Sequence, residues 1–382
     1  MIKYIFLTII IIFLLLYLFI QFKFNFWSKQ PVFHIYNLYY WIFPKGQILP
    51  QILPDYKFYD NLVQTFPFHE LSTEKKALFH TFIKFNFLRN KNAIYNPPKH
   101  GVLDYFKYHN NSSFLSFYYH FFSPTEKYLI GTMSTRPLTC QINKNKIDIG
   151  YVDFLCVHPK HRKKGIAPKI IHTHAVKCSK NVQHPIYIFK KEGDLNFIVP
   201  IVAYNCFSFS AQDIIKPNLN IENNVVSLLL NDSNIKLFYH YLKEIKDEFK
   251  CIIHPNLSNI KRQIKQSLLF IVLVLLNNEP IACYCYRNPH TTYNKKQSLE
   301  LMTSYYTQGF KDIFLKSFSN SLFLIDQKFK FEFILIENLS YNNFIIDKTI
   351  KNNIPEWKCP MAYYFYNYSY RPILAKDVFL LN

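Results

Sequence analysis

The chain has 382 residues, enough for two ordinary domains or one large fused unit, and 49% of them are apolar, so a large core can be buried. Lys plus Arg outnumber Asp plus Glu 45 to 25, a formal net charge of +20 that favours anionic partners. No long Lys/Arg block or nucleic-acid motif is present, which disfavours nucleic acid relative to an anionic lipid surface or a phosphorylated cofactor.

The first element is apolar. Tyr4–Ile20 reads YIFLTIIIIFLLLYLFI, with Thr8 as its one polar interruption besides tyrosine hydroxyls. Roughly 17–20 helical residues cross a hydrocarbon core. No small-residue cleavage site follows, so residues 1–22 are expected to form a retained single-pass anchor and not a cleaved leader. Phe22, Phe24, Phe26 and Trp27 stand where an interfacial aromatic belt would. Lys23, Lys29 and Lys45 outweigh Lys3, which places the remainder of the chain on the cytosolic side.

A Pro-rich lead, QPVFHIYNLYYWIFPKGQILPQILP, follows and is expected to wrap over a surface. Residues 74–90 carry Leu78, Phe82 and Phe85 at helical spacing. Residues 113–122 and 128–134 read as strands with TEK as the turn between them, and 147–158 as the next strand. A helix is expected at 169–180 with Ile171, Ala175 and Cys178 on one face, then strands at 185–189 and 199–209. Composition turns polar near 213–224, where a boundary is placed. Beyond it come a helix at 237–249, strands at 267–276, 280–287 and 300–306, a helix at 311–328, a strand at 331–337, the Tyr-rich stretch YYFYNYSY and a terminal strand. The run 267–276, SLLFIVLVLL, is too short to span a membrane and reads as a buried strand. This order implies an α+β fold of two similar halves, 23–215 and 216–382, each a mixed sheet flanked by helices, plus the N-terminal transmembrane helix.

The eight cysteines contain no C-x-x-C pair, so no metal site is expected; buried, reduced thiols are. The chemistry-bearing stretch is YVDFLCVHPKHRKKGIAPKII, residues 151–171. Val152, Phe154 and Cys156 alternate with Asp153, Leu155 and Val157, as in a strand packed on both faces. Pro159 ends that strand. Arg162, Lys163, Lys164 and Gly165 form a basic turn, and Pro168 suits a first helical turn because its missing N–H is no loss there. Gly165 allows close backbone approach, and a helix start presents unpaired N–H groups to a phosphate. The pattern Arg-x-x-Gly-x-Ala after a strand resembles the pyrophosphate cradle of the acetyltransferase-like (GNAT) fold.

Three ordered segments resemble N-myristoyltransferase: FNFWSKQPV (24–32), YVDFLCVHPKHRKKGIAP (151–168) and YYFYNYSYRPILAKDVFLLN (363–382). The resemblance implies two fused GNAT halves, myristoyl-CoA as co-substrate with no permanently bound cofactor, a protein with an N-terminal glycine as acceptor, and a monomer. It assigns coenzyme contacts to Asn25, Phe26 and Trp27, to Phe154, Leu155, Cys156 and Val157, and to Arg162, Lys163, Lys164, Gly165, Ile166 and Ala167. It implies that the backbone amides of Phe154 and Leu155 form an oxyanion hole and that the terminal carboxylate of Asn382 is the base. Asp153 stands where the family generally has an Asn contacting the substrate amine. Departures stand beside these matches: Arg89 and Lys91 lie where the family has acids, EWKCPMA replaces its Gly-Asp-Gly, and FKKEGDL (189–195) its Thr-containing glycine pocket. Two other readings remain open on these departures: an acyltransferase with another chain or acceptor, and an inactive module that holds acyl-CoA or lipidated peptide at a membrane.

Overall fold

The computed structural model describes residues 2–89, 92–121, 123, 126–193, 197–216 and 224–382. The first element, α1 (Ile2–Lys23), is one helix, and its span Lys3–Lys23 is long and apolar enough to cross a membrane. Its residues from Lys3 to Phe19 are exposed. The Pro-rich lead carries a short helix (Leu38–Ile42) and a two-residue strand (Gly46–Gln47) that pairs with Tyr368–Ser369.

The first half then folds as β1 (Val63–Pro67), α2 (Thr73–Asn86), β2 (Phe114–Phe121), β3 (Lys127–Ile142), β4 (Asn145–Val157), α3 (Ile166–Ser179), β5 (Tyr187–Glu192) and β6 (Val202–Ser210). The second half follows as β7 (Val225–Leu229), α4 (Ile235–Glu248), β8 (Cys251–His254), α5 (Leu257–Lys265), β9 (Leu269–Leu276), β10 (Glu279–Arg287), β11 (Lys296–Tyr306), α6 (Lys311–Lys328), β12 (Phe333–Glu337), β13 (Trp357–Tyr366) and β14 (Val378–Leu380).

The two halves repeat one topology. Strands β2, β3 and β4 form an antiparallel meander, and α3 carries the chain over to β5, which runs parallel to β4. Strands β9, β10 and β11 do the same, with α6 leading to a parallel β12. The halves also exchange strands: β13 pairs with β5, β6 pairs with β12, and β6 and β13 pair with each other. One mixed sheet therefore runs through both halves, flanked by helices, and the terminal β14 lies parallel to β8, which pairs with β3. This is the α+β architecture expected from the order of elements.

Three local outcomes differ from the sequence reading. In α2 the buried residues are Phe79, Phe82 and Ile83, whereas Leu78 and Phe85 are 40% and 56% exposed. Apolar residues flank the expected stripe on both sides, and packing against Phe106, Phe117 and Phe154 selects the neighbouring one. In β4 the even alternation breaks. Phe154 and Cys156 pack in one cluster, but Val152 shares the opposite face with Leu155 and Val157. An extra residue in the strand shifts every later side chain to the other face. Strand β3 runs on to Ile142, well past the expected 128–134. Residues Phe122, Pro124, Thr125, Asp194, Leu195 and Asn196 and most of the expected boundary, 217–223, lie outside the described residues.

Candidate active site

The site begins where β4 and β5 part. Their parallel pairing lasts for two residue pairs, Gly150 with Tyr187 and Tyr151 with Ile188. A Cβ on Gly150 would come within 2.7 Å of the Tyr187 ring, so the strands close up only because this position has no side chain. Beyond Tyr151 they diverge. A cavity of about 870 Å³ opens there, walled by Asp153–Val157 from β4, Phe189 and Lys190 from β5, and Arg287 and Glu300 from the second half.

Its central wall is a bulge. Thr132 pairs with Cys156 and Ser134 with Asp153, so Phe154 and Leu155 together face the single residue Met133. Phe154 has φ +51, the left-handed region that non-glycine residues seldom adopt. Its ring is fixed edge-on against Phe79, Phe87 and Phe106. The Thr132 hydroxyl donates to Phe154 O and the Ser134 hydroxyl to Asp153 O, at 3.4 and 3.0 Å, so two carbonyls of the bulge are satisfied from β3. Neither Phe154 nor Leu155 has a partner residue on β3. Main-chain N–H groups released from a ladder in this way can serve a developing oxyanion.

Next to the bulge stands the expected phosphate cradle. Gly165, at φ +72, is the N-cap residue of α3, and Lys163 is also left-handed at φ +61. Arg162, Lys163 and Lys164 are exposed. The Arg162 guanidinium is braced on Val157 O and Asn86 O, both at 3.0 Å, which ties the turn to the ends of β4 and α2. Of the expected coenzyme contacts, Trp27, Phe154, Leu155, Cys156, Val157 and Arg162 line the cavity. Asn25, Phe26, Lys163, Lys164, Gly165, Ile166 and Ala167 are not among its lining residues. Ile166 packs instead with Ile170, Val63 and Met133, and the Phe26 ring meets Trp27 and Phe58. Trp27 stacks on Phe189 across the mouth of the splay, 5.4 Å between centroids.

Asp153 lines the cavity with one oxygen tied to Arg136 Nε at 2.7 Å. Arg136 is 1% exposed and lies between the rings of Tyr105 and Tyr151, at 5.2 and 4.9 Å. Deeper, four charges meet. Arg287 donates to Glu300 Oε2 from Nε (3.0 Å) and Nη2 (2.6 Å), and Lys190 binds both Glu300 and Glu337. Arg287 Nη1 also donates to Asn382 Oδ1 at 3.3 Å, and Asn382 Nδ2 donates to the Tyr363 hydroxyl at 3.3 Å. Asn382 is 2% exposed and is not itself among the cavity's lining residues; Arg287, to which it is bonded, is.

Nucleophilic side chains are quenched. Burial pushes the Cys156 thiol up to about 12, against the pull of Arg162. His174, which also lines the cavity, is fully enclosed by desolvating neighbours that bring it down to about 3, and it sits between the Ser116 and Thr135 hydroxyls at 2.7 and 3.0 Å. A thiolate intermediate through Cys156 and an imidazole base at His174 are therefore both disfavoured at neutral pH. Among the described residues no cluster of three His, Cys, Asp or Glu could hold a metal.

Glu337 gives a pH signature. Burial and the charge of Glu300 raise it from 4.5 to about 7, while Lys190 and Arg287 pull the other way; its Oε2 has no hydrogen-bond partner. The folded state thus holds the Glu337 proton more tightly than the unfolded chain. That contribution to stability is complete below the ordinary carboxylate range and is lost as pH rises to about 7. Buried His109, His254 and His290, lowered by desolvation to about 4, act oppositely, losing stability as pH falls through 6.5. The difference between protein and Glu337→Gln is therefore the informative quantity. Urea midpoints should favour the native chain most at pH 5 and progressively less up to pH 7.5; parallel profiles would contradict the assignment.

Sequence reading did not find Arg136, Arg287, Glu300, Glu337 or Lys190. Three of them, Arg287, Glu300 and Glu337, carry one shared signal: each is a charge within a largely apolar run, as in CYCYR, SLELM and ILIE. A charge in a strand buried on both faces requires a partner inside the protein.

Comparison with known proteins bears on the fold. Residues 59–191 match the family model described as myristoyl-CoA:protein N-myristoyltransferase, N-terminal domain. A crystal structure of Saccharomyces cerevisiae N-myristoyltransferase with bound myristoyl-CoA superposes with a TM-score of 0.71 at 13% identity, covering 92% of this chain and 94% of that chain. A second, of the same yeast enzyme with myristoyl-CoA and inhibitors, gives 0.68 at 13% identity, covering 92% of this chain and 91% of that chain. No curated protein sequence matches the chain. The chain therefore has the fold of N-myristoyltransferase, and its residues 59–191 carry the sequence pattern of that family's N-terminal domain.

Proposed function

We propose that this chain is an N-acyltransferase that moves a myristoyl or similar long acyl group from acyl-CoA to the N-terminal glycine amine of a protein or peptide. The observation that carries the reading is the bulge at Phe154–Leu155, unpaired on β3 and set in the wall of the cavity. It lies within the segment matched to the N-myristoyltransferase domain, and the similar yeast structures hold myristoyl-CoA.

In this reading residues 23–215 bind the acyl-CoA, with its pyrophosphate at the basic turn before α3, and residues 216–382 supply the acceptor side and the chain end. The thioester carbonyl oxygen lies toward the Phe154 and Leu155 amides. The terminal carboxylate of Asn382 takes a proton from the glycine ammonium, whose ordinary pKa near 8 needs only a modest base. The freed amine attacks the carbonyl carbon, negative charge collects on the oxygen facing the two N–H groups, and the C–S bond breaks with the electron pair leaving on coenzyme A sulfur. The attacking nitrogen sheds its second proton, which ends on the thiolate as the amide forms, and the first proton, held by the carboxylate, is released to solvent, leaving the amide, coenzyme A thiol and the free base. Asp153, steadied by Arg136, offers a carboxylate to the incoming ammonium. The α1 helix anchors the enzyme in a membrane with the catalytic body on the cytosolic side.

The test is acyl transfer itself. The purified chain is incubated with a glycine-ended peptide, its N-acetylated twin and acyl-CoAs of ten to eighteen carbons, and products are weighed by mass spectrometry. Transfer to the free glycine peptide alone, strongest near fourteen carbons, is the expected result. Acyl-CoA binding with no product would refute the enzyme reading, and transfer to both peptides would refute the amine acceptor.

A further inference from the structure

We propose that residues 35–43 form a second membrane-contacting element that dips into the interfacial layer of an anionic leaflet beside α1. The proposal rests on the anchoring reading above, and its test separates the two.

The chain doubles back after the helix. Phe24 stacks on Phe197 of the body at 3.9 Å, and Trp27 reaches the cavity wall. His34 Nε2 then donates to Trp27 O at 2.9 Å, the Tyr36 ring stacks on His34, and Tyr36 meets the Tyr17 ring of α1 edge-on at 5.4 Å. Tyr17 lies six residues before the end of α1, so the returning segment reaches back about 9 Å along the helix. If α1 crosses a bilayer, residues 35–43 stand at headgroup and upper acyl-chain depth, where Trp and Tyr concentrate.

The side chains of that segment suit such a place. Leu38 is 72% exposed and Phe43 60%, with Ile35, Tyr39, Trp41 and Ile42 exposed beside them. A patch of this kind on a soluble surface signals a partner. The segment is also braced. The Trp41 indole N–H donates to Ile35 O at 3.0 Å, and Arg371 Nη2 donates to Ile42 O at 2.5 Å. The rings of Tyr40 and Trp41 rest on buried Phe33. The apolar residues are thus held outward by the fold. Charge selects the kind of surface. Residues 1–54 contain four lysines and no Asp or Glu, and Lys23, Lys29, Lys45 and Arg371 are all exposed. Basic groups at the rim of an apolar patch suit an anionic leaflet. Two contacts, helix and loop, fix the orientation of the body where one would leave it swivelling, and they hold the Trp27 wall of the cavity close to the lipid surface.

The experiment uses the full chain in vesicles of phosphatidylcholine and phosphatidylserine carrying brominated acyl chains. Trp41 is one of three tryptophans, and Trp41→Phe isolates its emission from Trp27 and Trp357. The expected result is a quenched component, strongest with bromines near the headgroup end, that disappears in Trp41→Phe and weakens several-fold in Ile42→Glu/Phe43→Glu. Alkaline carbonate extraction of the same samples reports on α1 alone. Chain that resists extraction with Trp41 unquenched overturns the loop contact and leaves the anchor standing. Chain that is extracted and unquenched overturns both. Chain that is extracted yet quenched supports the loop contact and refutes the anchor. Crosslinking between copies through residue 41 in place of quenching assigns the patch to self-association and overturns the proposal.

Discussion

A chain lengthened past Asn382 by a short tag, or shortened by that residue, is expected to bind acyl-CoA normally and to lose at least about a hundredfold in single-turnover rate. Asn382 is 2% exposed, Leu381 N donates to Ile253 O at 2.8 Å, and the Asn382 side chain is tied to Arg287 and Tyr363. An appended residue moves the carboxylate away from this buried position. The comparison that separates chemistry from packing is Asn382→Leu. It keeps a terminal carboxylate and discards both side-chain hydrogen bonds, so its rate should stay within about tenfold of native. Stopped-flow turnover and acyl-CoA titration of the four forms give the answer. A tagged chain working at the native rate removes the base from this end.

The second large effect concerns the buried charges. Arg287→Met should lower stability by about 3–5 kcal/mol, because Glu300 loses a bidentate partner and the cluster keeps two acids against one lysine. For a chain of 382 residues that is a fall in thermal midpoint of about 4–6 °C. Arg287→Met/Glu300→Leu removes one charge of each sign and leaves the Lys190–Glu337 pair balanced. It should recover much of the loss, since apolar replacement of a whole buried pair is often neutral or better. Thermal and urea midpoints of the two singles and the double measure the coupling. Strictly additive losses would mean that Arg287 and Glu300 do not act as a pair.

Legibility followed how far each signal is local. Helix α6 was read at its observed bounds, Lys311–Lys328, and β9 as a buried strand, because periodicity and length suffice for such elements. The signature stretch placed a strand, a basic turn and a helix start correctly around Gly165, since Pro168 and a left-handed glycine act within a few residues. The bulge was invisible. Phe154 reads as an ordinary alternating core residue, and only the β3 register, which gives one residue to its two, makes it left-handed. The buried face of α2 was misread because apolar residues lie on two adjacent stripes and the packing partners choose between them. Strand β8 went unread, being four residues long, and it is the strand that holds the chain end inside.

By itself the sequence determined the succession of strands and helices, the apolar N-terminal helix, and the basic turn before α3, all features set by interactions over a few residues. The tertiary structure alone decided that β4 and β5 part after two pairs, that β6 and β13 change halves, and that Arg136, Lys190, Arg287 and Glu300 line one cavity with Asn382 bonded to Arg287. Those groups are up to 246 positions apart, from Arg136 to Asn382, and no local propensity specifies the distance between them. Strand register and burial do, because each misplaced charge would lie unpaired in the core.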